Sequence, residues 1–272
     1  MSTLPPGKRI RVMIVDDSLF MRAAGASAYL VKPFSQDKCI ALVERTLAER
    51  RLIAYKEASA LFISEGARAA AEERATQGTL HAFRADERRV AVMFSDLIGF
   101  TPMSAMLTPS ELINLLNDYF DVMCPIVKDH GGDIDKFIGD AIMAIFEEER
   151  GQAAAPIRAT RAAIAMQKAL EVFNRSSAIK LGMRIGINTG PVIRGDLGSK
   201  VVRRDYTVIG DTVNQANRYE SKCPPGAVLV SASTRELLGE SAQVREVTGL
   251  QLKGVAEPVT GYVVEAIPEE PI

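Results

Sequence analysis

The chain has 272 residues, and 47% of them are hydrophobic, which is enough to bury the core of one large domain with smaller additions. Lys and Arg together number 33 against 34 Asp and Glu, so the net charge of −1 argues against a nucleic-acid binder, which would carry a basic excess. No apolar run reaches the length of a membrane span, and three scattered cysteines suit reduced thiols, so the sequence predicts a cytoplasmic protein.

Two short strands are predicted near the N-terminus, at residues 10–15 and 28–34. The first is followed by Asp16–Asp17 and the second ends in Lys32–Pro33. A strand ending in a paired Asp, and a later strand ending in Lys-Pro, resemble the first and last strands of a response-regulator receiver domain. Only residues 19–27 separate the two motifs, so the resemblance is to a receiver that has lost its middle. About 35 residues cannot bury a sufficient core alone.

Residues 35–75 are predicted to be helical. Ile40, Val43 and Leu47 recur at the three-and-four spacing of a helix face. The length of the stretch favours a dimerising signalling helix with coiled-coil character over a surface helix packed on its own domain. Residues 78–86 are predicted to form a hinge.

From residue 89 onward, strands and helices alternate. The predicted strands are 90–94, a hairpin of 134–138 and 141–146, 183–188, 191–196, 228–230, one near 244, and 259–265. The predicted helices are 109–130, 153–173, 210–222 and 231–239. This order describes an α+β fold, a ferredoxin-like βαββαβ sandwich with extra elements.

The predicted hairpin turns at Gly139–Asp140, because Gly tolerates the positive φ that a two-residue turn requires. Asp140 is therefore expected to project from the corner. By the alternation of a strand, Lys136 shares a face with Ile134 and Ile138, where a charge needs a partner. The alternative is an ordinary hairpin with a solvated Asp and a Lys that extends to water.

Three motifs occur in order: FSDLIGFT at 94–101, the hairpin with its Gly-Asp corner, and VIGDTVNQANR at 208–218. Together they resemble the class III adenylate/guanylate cyclase catalytic domain. The resemblance divides the chain into a truncated receiver-like remnant at 1–34, a helical signalling and dimerisation linker at 35–85, and a catalytic domain at 86–266.

Cyclisation of a nucleoside triphosphate requires the ribose 3′-hydroxyl to attack the α-phosphorus while pyrophosphate leaves, and divalent ions can assist both events. The resemblance implies that Asp96 and Asp140 are neighbours that bind two Mg²⁺ or Mn²⁺ ions, with the backbone of Leu97. It also implies a turn that cradles phosphates, formed by Gly99, Phe100 and Thr101. The alternative is two unrelated surface aspartates.

In this family the position of Lys136 reads the base. Lys there, with Thr or Asp at the position of Thr207, goes with adenine, whereas Glu and Cys go with guanine. A Lys donor suits the N1 acceptor of adenine, because N1 of guanine carries a hydrogen.

Four further residues match family positions that act on the ribose and the phosphates. Asn214 and Arg218 are four apart on one helix face, where they would orient the ribose and stabilise charge on the α-phosphate. Arg184 and Lys253 match positions that contact the β- and γ-phosphates.

The resemblance further implies that two catalytic domains pair head to tail. Each site would take Asp96 and Asp140 from one chain and the nucleotide-reading residues from the other: Lys136, Thr207, Asn214 and Arg218. The sequence therefore predicts a homodimeric adenylate cyclase that converts ATP to 3′,5′-cyclic AMP and pyrophosphate. Guanylate cyclase and a catalytically silent nucleotide-binding or dimerisation module are the alternatives. A phosphorylated response regulator is disfavoured, because the phosphoacceptor strand is missing.

Overall fold

The computed structural model describes residues 12–15, 28–79, 82–199, 201–240 and 242–268. The chain divides into two compact units between Ile63 and Ser64. No helix among these residues is long and apolar enough to cross a membrane.

The first unit contains two strands and a helix. Strands β1 (Val12–Val15) and β2 (Ala28–Val31) pair in parallel, and helix α1 (Gln36–Ala60) follows. The Ser35 side chain caps α1 by accepting a hydrogen bond from the amide of Lys38 at 3.3 Å. Asp16 and Asp17 lie outside the described residues. Two strands and a helix do not establish a receiver fold, so that resemblance stays a prediction.

The predicted helical run at 35–75 is two helices. Helix α1 ends at Ala60, and α2 (Glu65–Gln77) starts afresh after Ser64, whose side chain accepts from the amide of Ala67 at 3.2 Å. An N-terminal cap of this kind satisfies backbone donors that a continuous helix would not leave free. Helix α2 belongs to the second unit. Coiled-coil pairing through α1 stays a prediction.

The second unit is a mixed α+β structure built on an eight-stranded sheet, in the part of the chain that the structure describes. The strand order is β4-β5-β3-β6-β8-β10-β9, and β7 pairs with β6. The strands are β3 (Ala85–Leu97), β4 (Asp133–Ile138), β5 (Ala141–Glu147), β6 (Met183–Gly198), β7 (Arg204–Ile209), β8 (Val228–Ser231), β9 (Gln243–Leu250) and β10 (Val259–Ala266). The helices are α3 (Phe100–Ser104), α4 (Pro109–Asp129), α5 (Ala155–Ser176), α6 (Asp211–Lys222) and α7 (Ala232–Leu238).

The two faces of the sheet are covered by different helices. On one face Met93, Ala144 and Ile187 lie side by side and form the main core with buried residues of α4 and α5. On the other face Val92 and Ile145 pack with Ala216 of α6. Opposite residues of paired strands share a face, so this register decides which side chains meet α6.

Two strand predictions were wrong in detail. The predicted strands 183–188 and 191–196 are one strand, β6, because Thr189 and Gly190 pair with β3 instead of turning. In the hairpin, Gly139 has the expected positive φ of 67°. However, the β4–β5 register shifts between Ile134 and Lys136, which makes Asp135 an extra residue in the strand. Lys136 therefore shares a face with Ile138 but not with Ile134.

Gly186 of β6 is expected to be essential for the seat of α6. A Cβ atom at this position would lie 2.1 Å from the backbone nitrogen of Glu220 and 2.5 Å from its Cα. Gly186→Ala must push α6 off the sheet, and we expect a loss of about 1–3 kcal/mol of stability, measured by thermal unfolding.

The matched control is Gly182→Ala, whose Cβ would meet only the movable Ile98 side chain, at 3.2 Å from Cδ1. Equal melting temperatures for the two variants would contradict the close seat of α6.

Candidate active site

The predicted carboxylate pair is brought together at the end of β3. Asp96 lies one residue before the end of this strand, and Asp140 lies in the β4–β5 turn. The carboxylate of Asp140 accepts a hydrogen bond from the Leu97 amide at 3.1 Å. Burial raises the pKa of Asp140, and the negative charge of Asp96 raises it further. The two acids are therefore close enough to repel each other.

Arg184 lies directly opposite Asp96 on β6. Its Nη2 is 2.9 Å from Oδ2 of Asp96, and its Nε is 3.3 Å from Oε1 of Glu220 on α6. In the free chain this residue, predicted to contact phosphates, thus sits between two carboxylates. Glu220 was not predicted from the sequence as a site residue. The available signal was a charged residue four positions after Ala216, on the face of α6 that packs on the sheet.

Glu220 is a buried acid, and its surroundings disfavour the ionised form of its carboxyl. The residue is 4% exposed, and burial raises the pKa of its carboxyl to about 7. The charge of Asp96 adds to this increase in pKa, while Arg184 opposes it. One arginine therefore does not balance the acids around it.

The stretch after Asp96 forms a tight turn. Gly99 has a φ of 69° and begins α3, so Phe100 and Thr101 form its first turn. The Ile98 amide donates to the carbonyl of Gly182 at 2.8 Å, which ties the turn to the start of β6. Gly99, Phe100 and Thr101 thus lie shortly after Asp96 in the chain, and their contact with phosphates stays a prediction.

Lys136 and Thr207, 71 positions apart in the sequence, meet at Asp135. Thr207 Oγ1 donates to Oδ2 of Asp135 at 2.7 Å, and Lys136 Nζ lies 3.2 Å from the same oxygen. The Asp135 side chain is 2% exposed, whereas that of Lys136 is 38% exposed. Asp135 was not predicted as a site residue, although it flanks Lys136, because strand alternation places the two on opposite faces.

Two of the residues predicted to act on ribose and phosphate, Asn214 and Arg218, lie on α6. Arg218 Nη1 is 3.9 Å from Oδ1 of Asp211, and its Nη2 lies 3.5 Å from where a Cβ of Gly254 would be. Exposed Lys253 precedes Gly254, and Asn214 is exposed one turn before Arg218. Within the described residues, no hydrogen bond or ion pair joins Asn214 or Arg218 to Asp96 or Asp140.

The acidic pair fits a divalent cation whose remaining ligands come from a substrate. The described residues contain no cluster of three or more His, Cys, Asp or Glu able to hold a metal. Mg²⁺ in nucleotide sites commonly uses one or two carboxylates together with phosphate oxygens and water. Asp140 accepts a hydrogen bond from the Leu97 amide and Asp96 pairs with Arg184, so two carboxylates share one nearby cationic side chain, and a bound cation would offset the remaining negative charge.

An α+β domain with two neighbouring carboxylates at the end of β3, beside a turn and an Arg-bearing helix, is the arrangement expected of a nucleotidyl cyclase catalytic domain. Comparison with known families agrees, since the adenylate and guanylate cyclase catalytic domain matches residues 84–266. The chain belongs to this family, whose class III fold was predicted from the sequence.

Similar proteins include cyclases of both base specificities. An adenylate cyclase of Anabaena cylindrica is 37% identical over 195 residues, 67% of this chain and 38% of that protein. The solved guanylyl cyclase Cya2 is 37% identical, with a TM-score of 0.64, and the match covers 68% of this chain and 96% of that one. The adenylyl cyclase CyaB from P. aeruginosa is 34% identical with the same TM-score, and the match covers 70% and 100%. The chain spans between 8% and 38% of the length of the first curated relatives.

Glu220 is expected to make stability fall as pH rises. Its folded pKa of about 7 lies above the ordinary value of 4.5, so the native state binds the proton more tightly than the unfolded state. Stability should therefore decrease between pH 4.5 and 7, and Glu220→Gln should flatten this part of the profile. Without divalent cations, the variant should melt above the parent at pH 8 and close to it at pH 4.5.

The matched control is Glu236→Gln, which changes a carboxylate whose residue is exposed on α7 and should leave the profile as in the parent. A Glu220→Gln protein that melts below the parent at pH 8 would show that the contact with Arg184 outweighs burial.

Proposed function

We propose that the chain is an adenylate cyclase that converts ATP to 3′,5′-cyclic AMP and pyrophosphate. The observation that carries the proposal is the meeting of Lys136 and Thr207 at Asp135. Relatives of both base specificities are similar to this chain, so overall identity does not choose between ATP and GTP. The choice rests on the residues that face the base, and a Lys paired with Thr suits adenine.

In this mechanism Lys136 donates a hydrogen bond to N1 of adenine, and Thr207 accepts one from the 6-amino group. Two Mg²⁺ or Mn²⁺ ions at Asp96, Asp140 and the backbone of Leu97 would supply activation of the 3′-hydroxyl and charge neutralisation. Arg184, which pairs with Asp96 in the free chain, would bind phosphate oxygens, and a cation held by Asp96 would compete for that carboxylate. Its exposed fraction of 28% leaves it accessible.

The remaining residues hold the reacting groups. Asn214 orients the ribose, and Arg218 stabilises the negative charge that develops on the α-phosphate, a role that suits a permanently charged planar group. Lys253 binds the terminal phosphates, and a turn cradles them through its backbone: Gly99, Phe100 and Thr101. Orientation of the 3′-hydroxyl toward the α-phosphorus is the main contribution of this framework.

We further propose that two chains share each site. Asp96 and Asp140 lie at the end of β3, whereas Arg218 lies on α6 without a contact to either of them in the described residues. A second chain placed head to tail would bring its Lys136, Thr207, Asn214 and Arg218 to the carboxylates of the first. Two-fold symmetry then creates two equivalent sites.

The direct test incubates the protein with ATP or GTP and Mg²⁺ or Mn²⁺, and identifies products by chromatography. We expect cyclic AMP from ATP, and a loss of at least about 100-fold in Asp96→Ala and in Asp140→Ala, because each removes a cation ligand. Asp118→Ala removes an exposed carboxylate of α4 and should keep parental activity. A protein that makes mainly cyclic GMP would refute the adenylate assignment.

Mixed dimers should test the shared site. Asp96→Ala removes the metal half of a chain and Arg218→Ala removes the phosphate half, so each homodimer has two defective sites. A mixed dimer has one intact site and one site with both lesions. Co-expression should then give about half mixed dimers and restore about a quarter of parental activity, by two-fold counting.

Differently tagged chains verify that mixed dimers form. Co-expression of Asp96→Ala with Asp140→Ala is the matched control, since both lesions fall in the same half and no intact site results. Verified mixed dimers of Asp96→Ala and Arg218→Ala without recovered activity would exclude a site built from two chains.

A further inference from the structure

We propose that Asp135 is a positioning residue that makes Thr207 selective for adenine by fixing the direction of its hydroxyl. This inference rests on the proposed adenylate cyclase function. It assigns a specificity role to a residue that makes no contact with the base itself.

The β4 bulge aims Asp135 at the base-reading residues. Ile134 pairs with Ala144 and Lys136 with Met143, so Asp135 has no partner position on β5. Bulges of this kind redirect side chains, often beside active sites. The Asp135 side chain is nearly closed off from solvent at 2% exposure, and its Oδ2 receives both Thr207 and Lys136.

The contact with Asp135 decides which way the Thr207 hydroxyl points. A carboxylate can only accept, so the 2.7 Å contact must use the hydrogen of Thr207 Oγ1. Thr207 is 4% exposed, so water does not offer its hydroxyl an alternative partner. The lone pairs of Oγ1 are then all that Thr207 can offer to a ligand. Asp135 thereby converts a two-way hydroxyl into an acceptor.

An acceptor at this point discriminates between purines. The 6-amino group of adenine donates a hydrogen bond, whereas the 6-oxo group of guanine or hypoxanthine accepts one. A free threonine hydroxyl could rotate, and so donate to the 6-oxo group or accept from the 6-amino group. When the hydroxyl donates to Asp135, its oxygen faces the 6-oxo oxygen, and two acceptors cannot form a hydrogen bond. An unsatisfied polar contact inside a binding site is a strong source of discrimination.

Lys136 alone does not supply this discrimination. Its ammonium carries three donors, which could reach N1 of adenine or the 6-oxo group of a guanine. The ion pair with Asp135 at 3.2 Å holds the ammonium beside Thr207, and 38% exposure leaves it open to a ligand. Selection therefore depends on the committed hydroxyl, with Lys136 providing the donor beside it.

The test compares kcat/KM for ATP and ITP, since inosine triphosphate has a 6-oxo group and an N1 hydrogen but lacks the 2-amino group of GTP. In Asp135→Ala the hydroxyl is free, and the ATP:ITP ratio should fall by about tenfold or more. A merely structural role would lower kcat/KM for both substrates and leave the ratio unchanged. Asp118→Ala, on exposed α4, should keep the parental ratio.

A rescue variant sharpens the test. Aspartate at position 207 can only accept, so Thr207→Asp should restore the ATP:ITP ratio in the Asp135→Ala background. With Asp135 still present, Thr207→Asp places two carboxylates together and should lower activity on ATP below that of the double variant. Thr207→Asp thus restores the ATP:ITP ratio when Asp135 has been replaced by Ala and lowers activity on ATP when Asp135 is present.

Asp135→Asn keeps the volume of the side chain and covers the case in which Asp135→Ala does not fold. It removes the charge that holds the hydroxyl, so the ratio should fall here as well, by a smaller factor. Folded variants that keep the parental ratio, or a double variant that regains no preference for ATP, would overturn the role of Asp135. A parent protein without a preference for ATP would instead overturn the proposed function.

Discussion

The position of β3 between two antiparallel neighbours is the constraint on which the site depends. β3 pairs with β5 on one side and with β6 along its whole length on the other. Because paired residues share a face, Asp96 must lie beside Arg184, on the face that α6 covers. The β4–β5 turn, which carries Asp140, is delivered to the same end of the sheet. Helices α4 and α5 fill the opposite face with apolar side chains and leave the charged groups to this one.

The charged side chains of the candidate site form two groups of different net charge. Arg184 lies between Asp96 and Glu220, and Asp140 lies near Asp96; burial raises the pKa values of Asp140 and Glu220, and the negative charge of Asp96 raises them further. In contrast, Asp135 is paired with one ammonium and one hydroxyl, so that group is balanced. An unbalanced acidic group suits cations that carry phosphates, whereas a balanced, directional group suits a neutral base. The two groups therefore differ in net charge in the way that the proposed roles require.

Patterns carried by a single segment could be predicted from the sequence, and those that depend on a partner strand could not. The Gly139–Asp140 turn and the amphipathic helix α4 follow from local residue spacing, and both are present. The bulge at Asp135 depends on the register with β5, which no spacing within β4 reveals.

Glu220 and Asp135, which were not predicted, also depend on contacts between different elements. The charge of Glu220 was visible in the sequence, but its partner Arg184 lies on another element. Asp135 was likewise visible beside Lys136, but its contact with Thr207 crosses from β4 to β7. The resemblance to cyclases identified the residues of the motifs, but it did not identify Glu220 and Asp135, which contact them.

Helix α2 belongs to the same compact unit as the eight-stranded sheet. The carboxylate of Asp133 accepts from the amides of Glu65 and Gly66 at the start of α2, at 3.1 and 3.0 Å. Near its other end, Arg74 pairs with Asp196 at 2.8 Å, with side chains 10% and 3% exposed. Removing one partner of such a buried pair typically costs about 3–5 kcal/mol, so α2 is an integral part of the sheet domain.

The same contacts connect α2 to the strands that carry Asp135 and Thr207. Asp133 lies two residues before Asp135 on β4, and Tyr206 precedes Thr207 on β7. The guanidinium of Arg74 lies 5.6 Å from the centre of the Tyr206 ring, and that of Arg194, which also pairs with Asp133, lies 5.3 Å from it. Helix α2 therefore contacts both strands whose Asp135 and Thr207 are joined by a hydrogen bond, and this part of the segment predicted as a linker packs on the sheet.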